Sequence, residues 1–542
     1  MPKLTPTHLR GDIYGGVTAA IVALPLALAF GVASGAGPVA GMYGAIFVGL
    51  FAALFGGTPA QISGPTGPMT VVMAATFTEY VGRDPVHGPA LAFTVVMLGG
   101  LFQILFGLLK LGRYINLVPY AVISGFMSGI GVIIIVLQLP PLLGHAAPSG
   151  GVPTALAALP GFVADPGGAA LLLGTITLVI VYGLPAQLQR LLPAPLLALV
   201  VGTLLLVQVL PEGSASRLGD IPTGIPRPSL PTFEPSLLVD MVKSALVLAV
   251  LGAIDSLLTS LVADNITRSH HDSDRELIGQ GIGNTVAGVF GGLPGAGATM
   301  RTVVNIRAGG RTRISGALHA LLLLAIVLGA GGAAEYIPHA VLAGILIKVG
   351  LDIIDWDFLR HLHRTPATSI AMMFGVLLLT VFVDLITAVA AGVVAAALLL
   401  VKRMADLQAA STRLFSEPGE EAPLDEEESR LLARAGGRVL IYHLSGPLSF
   451  GAAKDMVRRL AGQTTHRVLL LDFTAVPFAD YTSARAIDDI IRTTRDSGRE
   501  VWLCGLQQRV GTLLEKTDVL AGVPVARRCP DRRTALQRIV AG

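Results

Sequence analysis

Apolar runs of roughly 20 residues, each long enough to cross a hydrocarbon core of about 30 Å as a helix, recur from Gly15 to about Val401. In hydrocarbon every backbone N–H and C=O must find a partner inside the protein, so these runs restrict this part of the chain to helices packed on one another. Composition agrees: 52% of residues are hydrophobic, 14% are charged and the mean hydropathy is +0.69, where soluble domains carry about 25% charged residues. The runs and their breakers place segments near 13–32, 39–56, 66–81, 89–109, 117–138, 169–184, 193–210, 240–263, 276–290, 299–306 with its continuation, 314–331, 338–354, 367–383 and 385–402, fourteen in all and seven in each half. Residues 1–12 are polar and no convincing cleavage site comes after them, so no cleavable signal is expected.

Basic residues orient the segments, because short cytoplasmic loops concentrate Lys and Arg. With the N-terminus inside, the inner loops hold Lys110, Arg113, Arg190, Arg268, Arg275, Arg307, Arg311, Arg313, Lys348, Arg360 and Arg364. The outer loop 140–168 holds none, and Arg83, Arg217 and Arg227 are the outer exceptions. Both termini are therefore expected in the cytoplasm.

Two stretches cannot be ordinary spanning helices. Residues 291–305 read GGLPGAGATMRTVVN and residues 62–72 read ISGPTGPMTVV. Broken backbone at membrane depth is tolerated only where protein covers it or solute replaces the missing partners, and a pair of such breaks in the two halves of a transporter points to its binding site. The two share a Thr-Val-Val, at Thr70 and again at Thr302, and each comes after a Phe-Gly-Gly, at Phe55 and again at Phe290. The separation within the first pair is nearly that within the second, as an internal duplication gives.

Candidate chemistry gathers around these breaks. Asp255 is the only charged residue in 244–263. A carboxylate near the bilayer centre costs about 2.5–3.5 kcal/mol on insertion scales, which makes it a functional candidate. Thr259, one helical turn on, shares its face. Together they offer hard oxygen ligands for a small cation such as Na⁺, or a protonation site; the alternative is an ordinary buried pairing between two helices. Thr66 and Thr299 fall where the two broken helices should begin, and a helix N-terminus attracts anions through its free N–H groups; the alternative is that Gly and Thr here only allow close packing. Arg301 can join an anion site, neutralise Asp255 or reach towards water. His270, His271, Asp272 and Asp274 read as a solvated loop rather than a metal tract. No nucleophile with its base, phosphate-binding loop or paired carboxylate appears, which argues against an enzyme, ATP-driven transport and any cofactor.

After Lys402 and Arg403 the chain turns polar. Residues 404–437 carry Glu417, Glu420, Glu421, Asp425 and Glu426 to Glu428 and read as an acidic linker or edge, and β-rich runs then alternate with an amphipathic stretch at 482–495, which predicts a small α/β domain over 438–542. Cys504 and Cys529, both in this region, leave no disulfide framework, as suits a cytoplasmic domain.

The chain resembles the SulP family of anion permeases, the solute carrier 26 group, and is most like the cyanobacterial-type sodium-dependent bicarbonate transporters. The resemblance rests on GDIYGGVTAAIVALPLALAFGVASGAGP from Gly11, GPTGPMTVVM from Gly64, YAVISGFMSGIGV from Tyr120, AIDSLLTSLVAD from Ala253, ELIGQGIGN from Glu276 and GAGATM from Gly295. It implies a polytopic α-helical membrane protein with fourteen segments in two inverted seven-segment repeats, about 11–210 and 236–403, forming core and gate domains within 1–403. It implies a multi-pass protein of the cytoplasmic membrane that moves a small oxyanion, bicarbonate first, with Na⁺ or H⁺, by an elevator-like movement of core against gate. It also implies a homodimer with membrane and C-terminal contacts, no nucleic-acid partner, and a C-terminal STAS domain. Carried over by position, Asp255, Thr259 and Thr299, with the backbone of Gly297 and Ala298, match the sodium site, Thr66 and Ala298 match the anion contacts, and Phe30 matches an aromatic of the first helix. Gly64 and Arg301 depart from the bicarbonate group, an arginine at 301 being instead like the wider family, where it lines the anion site, and Leu26 replaces a frequent glutamine of the first helix. A proton-coupled dicarboxylate or sulfate symporter, or a chloride exchanger or channel, is therefore the alternative. Asp480 to Ser483 occupy the place of the phosphorylatable serine of anti-sigma-factor antagonists, but the local sequence differs and no phosphorylation is expected.

Overall fold

The computed structural model describes residues 6–113, 119–148, 151–189, 193–219, 227–383, 385–419, 424–449, 456–460 and 466–541; Arg190, Glu420 and Glu421, assigned above to an inner loop and the acidic linker, lie outside them. The chain divides into two compact units, Met1–Val393 and Val394–Gly542.

Among its described residues, the regular structure of the first unit is helical apart from one short strand pair. In order it contains α1 (Pro6–Ala33), α2 (Pro38–Phe55), β1 (Ser63–Gly64), α3 (Gly67–Arg83), α4 (Gly88–Leu108), α5 (Tyr120–Leu142), α6 (Gly151–Ala164), α7 (Gly168–Gly183), α8 (Ala186–Gln189), α9 (Ala194–Gln208), α10 (Leu238–Thr267), α11 (Ser273–Val289), β2 (Ala296–Gly297), α12 (Thr299–Arg307), α13 (Arg313–Ala334), α14 (His339–Ile353), α15 (Trp356–Arg360), α16 (Ala367–Phe382) and α17 (Leu385–Ser411), the last running across the division. Several helices start with Pro in the first turn, as in α2, α3, α4 and α9, where its missing N–H is no loss.

Each of the fourteen expected segments is helical, and among the described residues six helices are long and apolar enough to span a bilayer alone. The expected outer loop 140–168 needs correction. It contains α6, which meets α7 at 109°. Its two prolines and short length read as loop, but Pro153 lies in the first turn, where no N–H is needed, and Pro160 removes only one bond from an otherwise apolar, helix-forming stretch.

The helices sort into two groups that draw on both halves of the sequence. In one, α1, α2 and α4 pack against α10, α11 and α13, with α12 against α1 and α10; in the other, α5 packs against α14 and α16, and α7 against α9 and α14. The α4–α11 crossing shows how apolar helices approach without a hydrophobic drive: a Cβ built on Gly281 would stand 2.5 Å from the Gly100 carbonyl oxygen, so only small residues allow this contact.

The second unit holds a five-stranded sheet in the order β3 (Arg413–Phe415), β4 (Val439–Ser445), β5 (Val468–Ala475), β6 (Glu500–Cys504) and β7 (Arg528–Cys529), antiparallel between β3 and β4 and parallel thereafter. Its helices are α18 (Glu426–Arg434), α19 (Tyr481–Asp496), α20 (Gln508–Lys516) and α21 (Arg532–Ala541). The acidic stretch is therefore more than a linker: β3 pairs with the sheet, and α18, opened by a capping box of Asp425 and Glu428, buries Leu431 and Leu432. Asp480 caps α19, and the Ser483 side chain beneath it is fully buried.

Candidate functional site

The two sequence breaks meet. β1 and β2 pair antiparallel, Ser63 opposite Gly297 and Gly64 opposite Ala296, and the Ala298 N–H donates to the Ile62 carbonyl at 2.8 Å. This pairing satisfies backbone that no helix could satisfy at membrane depth. Immediately after it α3 starts at Gly67 and α12 at Thr299, each three residues before the threonine of the shared Thr-Val-Val. The N-cap equivalent to Thr66 is thus Ala298 rather than Thr299, and neither cap supplies a side-chain bond. The N–H groups of Gly67 and Met69 on α3, and of Thr299 and Met300 on α12, have no acceptor inside their own helices.

Side chains from three directions brace the breaks. The Glu276 carboxylate, 1% exposed, accepts from the N–H groups of Gly57 and Thr58 and from the Gln61 and Gln280 amides, each at 2.8 Å. One turn further on α11, Gln280 donates to Ser63 Oγ at 2.6 Å, and another turn on Asn284 both accepts from Gly295 N–H at 2.7 Å and donates to its carbonyl at 2.9 Å. From α10, Ser256 accepts from Gly297 N–H at 3.0 Å and Ser260 donates to Gln61 Oε1 at 3.0 Å. From α12, Thr302 accepts from Ile62 N–H at 3.0 Å and Asn305 donates to the Ala60 carbonyl at 2.8 Å. The motif 276–284 was visible in sequence, but the bracing role of Glu276, Gln280 and Asn284, four residues apart on one helix face, was not drawn from it.

On α10, Thr259 is fully buried, and its Oγ1 lies 2.9 Å from the Gly297 carbonyl and 2.7 Å from Thr299 Oγ1. Asp255, one turn earlier and 7% exposed, leaves Oδ2 without a hydrogen-bond partner; the Thr66 hydroxyl lies against this carboxyl but outside hydrogen-bond geometry. A carboxylate, two hydroxyls and a carbonyl are hard oxygen donors that fit a small monovalent cation. Among the described residues no cluster of three His, Cys, Asp or Glu side chains could hold a metal; His271 is tied to Asp264 at 2.7 Å and Asp272 caps α11.

Arg301 does not reach water. It is 2% exposed, donates through Nη2 to the Pro65 carbonyl, and so ties the second break to the first. Its Nη1 has no partner and lies beside Gly64, whose φ of 150° a side chain rarely adopts. No ion pair joins Arg301 to Asp255, and Arg301 Nη1 and Asp255 Oδ2 both lack a hydrogen-bond partner. Phe30, 3% exposed, lines a cavity of about 20 Å³ with Thr70, Ala74, Gln138 and Leu346, where α1 and α3 face α5 and α14. His319 on α13 was missed in sequence: it is a fully buried ionisable residue within an apolar run, the same signal that singles out Asp255.

A family model described as the sulfate permease family matches residues 9–376, and one described as the STAS domain matches residues 431–530. The chain is 48% identical over 533 residues to the bicarbonate transporter BicA of Synechocystis sp., across 98% of this chain and 94% of that protein. Among solved structures, the transmembrane domain of a cyanobacterium bicarbonate transporter BicA matches with a TM-score of 0.68 at 54% identity, over 71% of this chain and 99% of that one. The murine Solute Carrier 26 family member A9 anion transporter matches with a TM-score of 0.85 over 100% of this chain and 93% of that one, a likeness of fold alone at 19% identity. With the family model covering most of the helical unit and these likenesses extending over the rest, the chain belongs to the sulfate permease family, as a multi-pass membrane protein with a C-terminal STAS domain.

Proposed function

We propose that this protein is a secondary transporter of the cytoplasmic membrane, with both termini inside, that carries bicarbonate together with Na⁺ or H⁺. The observation that carries this reading is the oxygen cluster of Thr259, Thr299 and the Gly297 carbonyl, one turn from the unpartnered Asp255 carboxyl and beside two helix N-termini. The anion sits at the free N–H groups of α3 and α12, where the helix dipoles favour negative charge, and the Thr66 hydroxyl at the α3 N-cap, buried and without a hydrogen-bond partner, is available beside them. The cation or proton sits at Asp255 and offsets the negative charge that an arriving anion would otherwise meet. Opposite charges about 5 Å apart at an effective dielectric of about 20 attract by about 3 kcal/mol, enough for each to tighten the other's binding roughly a hundredfold. Bicarbonate is favoured because the relative at 48% identity is a bicarbonate transporter. Both breaks lie in one of the two helix groups, which supports an elevator-like movement of that group against the other, in a homodimer.

A proton-coupled carrier of sulfate or a dicarboxylate is the second reading, favoured by the buried Arg301, whose charge suits a dianion. Uptake of labelled bicarbonate, sulfate and succinate into proteoliposomes, each under an imposed Na⁺ or H⁺ gradient, separates the readings. Saturable, Na⁺-driven accumulation of bicarbonate is expected. Flux that neither saturates nor follows a cation gradient makes the protein a channel and rules the proposal out.

A further inference from the structure

His319 lies within α13 with 0% exposure, and neither ring nitrogen has a hydrogen-bond partner. A neutral imidazole carries one N–H donor and one acceptor nitrogen, and an unpaired buried polar group costs about 1–3 kcal/mol. Arg301 has the same deficit at Nη1. Both unpaired groups face one stretch of α2 across the first break. A Cβ built on Gly49 would stand 3.3 Å from His319 Nδ1 and 3.1 Å from the Ser63 carbonyl oxygen, whereas one built on Gly64 would stand 2.9 Å from Arg301 Nη1 and 3.2 Å from Ala45 Cα. Ala45 and Gly49 are one turn apart on α2, so imidazole and guanidinium flank β1 on the side that α2 covers.

We propose that a buried water links His319 to Arg301 Nη1 behind the first break, and that His319 is a positioning residue for the substrate site. Arg301 can only donate, so a direct pairing would use the acceptor nitrogen of the imidazole and leave its N–H unpaired. A water accepts from Nη1, exchanges a hydrogen bond with His319 and reaches the Ser63 carbonyl, which gives it the partners a buried water needs. The guanidinium is then held at both ends, by the Pro65 carbonyl and by the water, and so fixes the spacing between the N-termini of α3 and α12. This rests on the reading that those N-termini form the anion site.

The test compares His319→Leu and His319→Gln in the full-length protein in proteoliposomes, using whichever of bicarbonate, sulfate and succinate the unaltered protein carries. Losing one bridging hydrogen bond should raise the anion KM about tenfold in His319→Leu, with the maximal rate within about twofold; the Gln amide keeps a donor and an acceptor and should return KM to within about threefold of the unaltered value. An unchanged KM in His319→Leu, or equal KM values in the two variants, overturns the proposal. If neither variant folds, a cryo-EM map of the unaltered protein decides: water density within hydrogen-bond distance of both His319 and Arg301 Nη1 supports the bridge, and an empty gap or a bound halide overturns it. Failure of the unaltered protein to carry any anion overturns the transport reading alone and leaves the density test in force.

Discussion

Asp255→Asn keeps the shape of the side chain and removes its charge, at a position where one carboxylate oxygen has no hydrogen-bond partner and the exposure is only 7%. A monovalent cation about 4 Å from the carboxylate at an effective dielectric of about 20 gains about 4 kcal/mol. The amide oxygen remains a ligand and the neutral residue is easier to bury, so a net loss of about 2–4 kcal/mol is expected, or roughly 30- to 1000-fold in cation affinity. The assay is the initial rate of bicarbonate uptake into proteoliposomes as a function of external Na⁺ and, separately, of pH, with thermal unfolding measured alongside. Uptake should lose its dependence on both cations. Stability without the cation should hold or rise, because a buried charge lacking a contact partner has been removed. A variant that unfolds early would give the residue a pairing role, and unchanged cation dependence in a stable variant would refute the coupling role.

Thr259→Val should weaken cation dependence about tenfold and leave the Gly297 carbonyl without its side-chain donor, measured by the same Na⁺ titration. In Gly64→Ala a Cβ would be forced into a φ of 150° and within 2.9 Å of Arg301 Nη1, so anion uptake should fall at least tenfold while Gly82→Ala, with open space around it, leaves uptake unchanged. In the STAS domain, burial alone would raise the Asp472 carboxyl, but hydrogen bonds from His443 and Thr474 and the charge of Arg532 outweigh it and hold it at about 2, below the ordinary 3.8. A depressed carboxyl stabilises the fold above its unfolded pKa and loses that contribution as the pH falls towards 2, a change of roughly 2–3 kcal/mol. Asp472→Asn should therefore unfold earlier than the unaltered protein near neutral pH by calorimetry, with the gap closing in acid; a gap independent of pH would deny the carboxylate this role.

Local pattern revealed what local pattern causes. Run length marked the helices, and the Thr-Val-Val repeat marked the two breaks as related, although it took the register of the structure to show that α3 and α12 begin at equivalent positions, Gly67 and Thr299, with Thr66 matched by Ala298. What was hidden depends on pairing between distant residues. Glu276 braces N–H groups 219 and 218 residues away, and Arg301 holds a carbonyl 236 residues away; no periodicity encodes such partners, although the spacing of Glu276, Gln280 and Asn284 did mark a polar face on an apolar helix. His319 was legible by the rule already applied to Asp255, and its omission shows that a histidine counts as an intramembrane charge site as much as a carboxylate does. Helix α6 was hidden because two prolines outweigh a short apolar run in sequence, while in the fold Pro153 falls where it costs nothing.

The pairing of β1 with β2 also explains why Asp255 and Arg301 belong to one design rather than two. Because strand pairing and the braces from α10, α11 and α12 satisfy the broken backbone, no solute is needed to hold the breaks open, and the free N–H groups remain for a transient ligand. The formal charges beside them, Arg301 and Asp255, then cancel when the site is empty. One Na⁺ or one proton at Asp255 leaves a net charge of one positive unit, which a monoanion such as bicarbonate neutralises. Sulfate would leave the loaded site one unit negative in a low-dielectric interior, a state that costs several kcal/mol unless a second cation enters. On the proposed reading, formal side-chain charge thus suits a monoanion with one coupling cation and predicts a higher cation ratio for sulfate, which the reversal potential of proteoliposome flux measures.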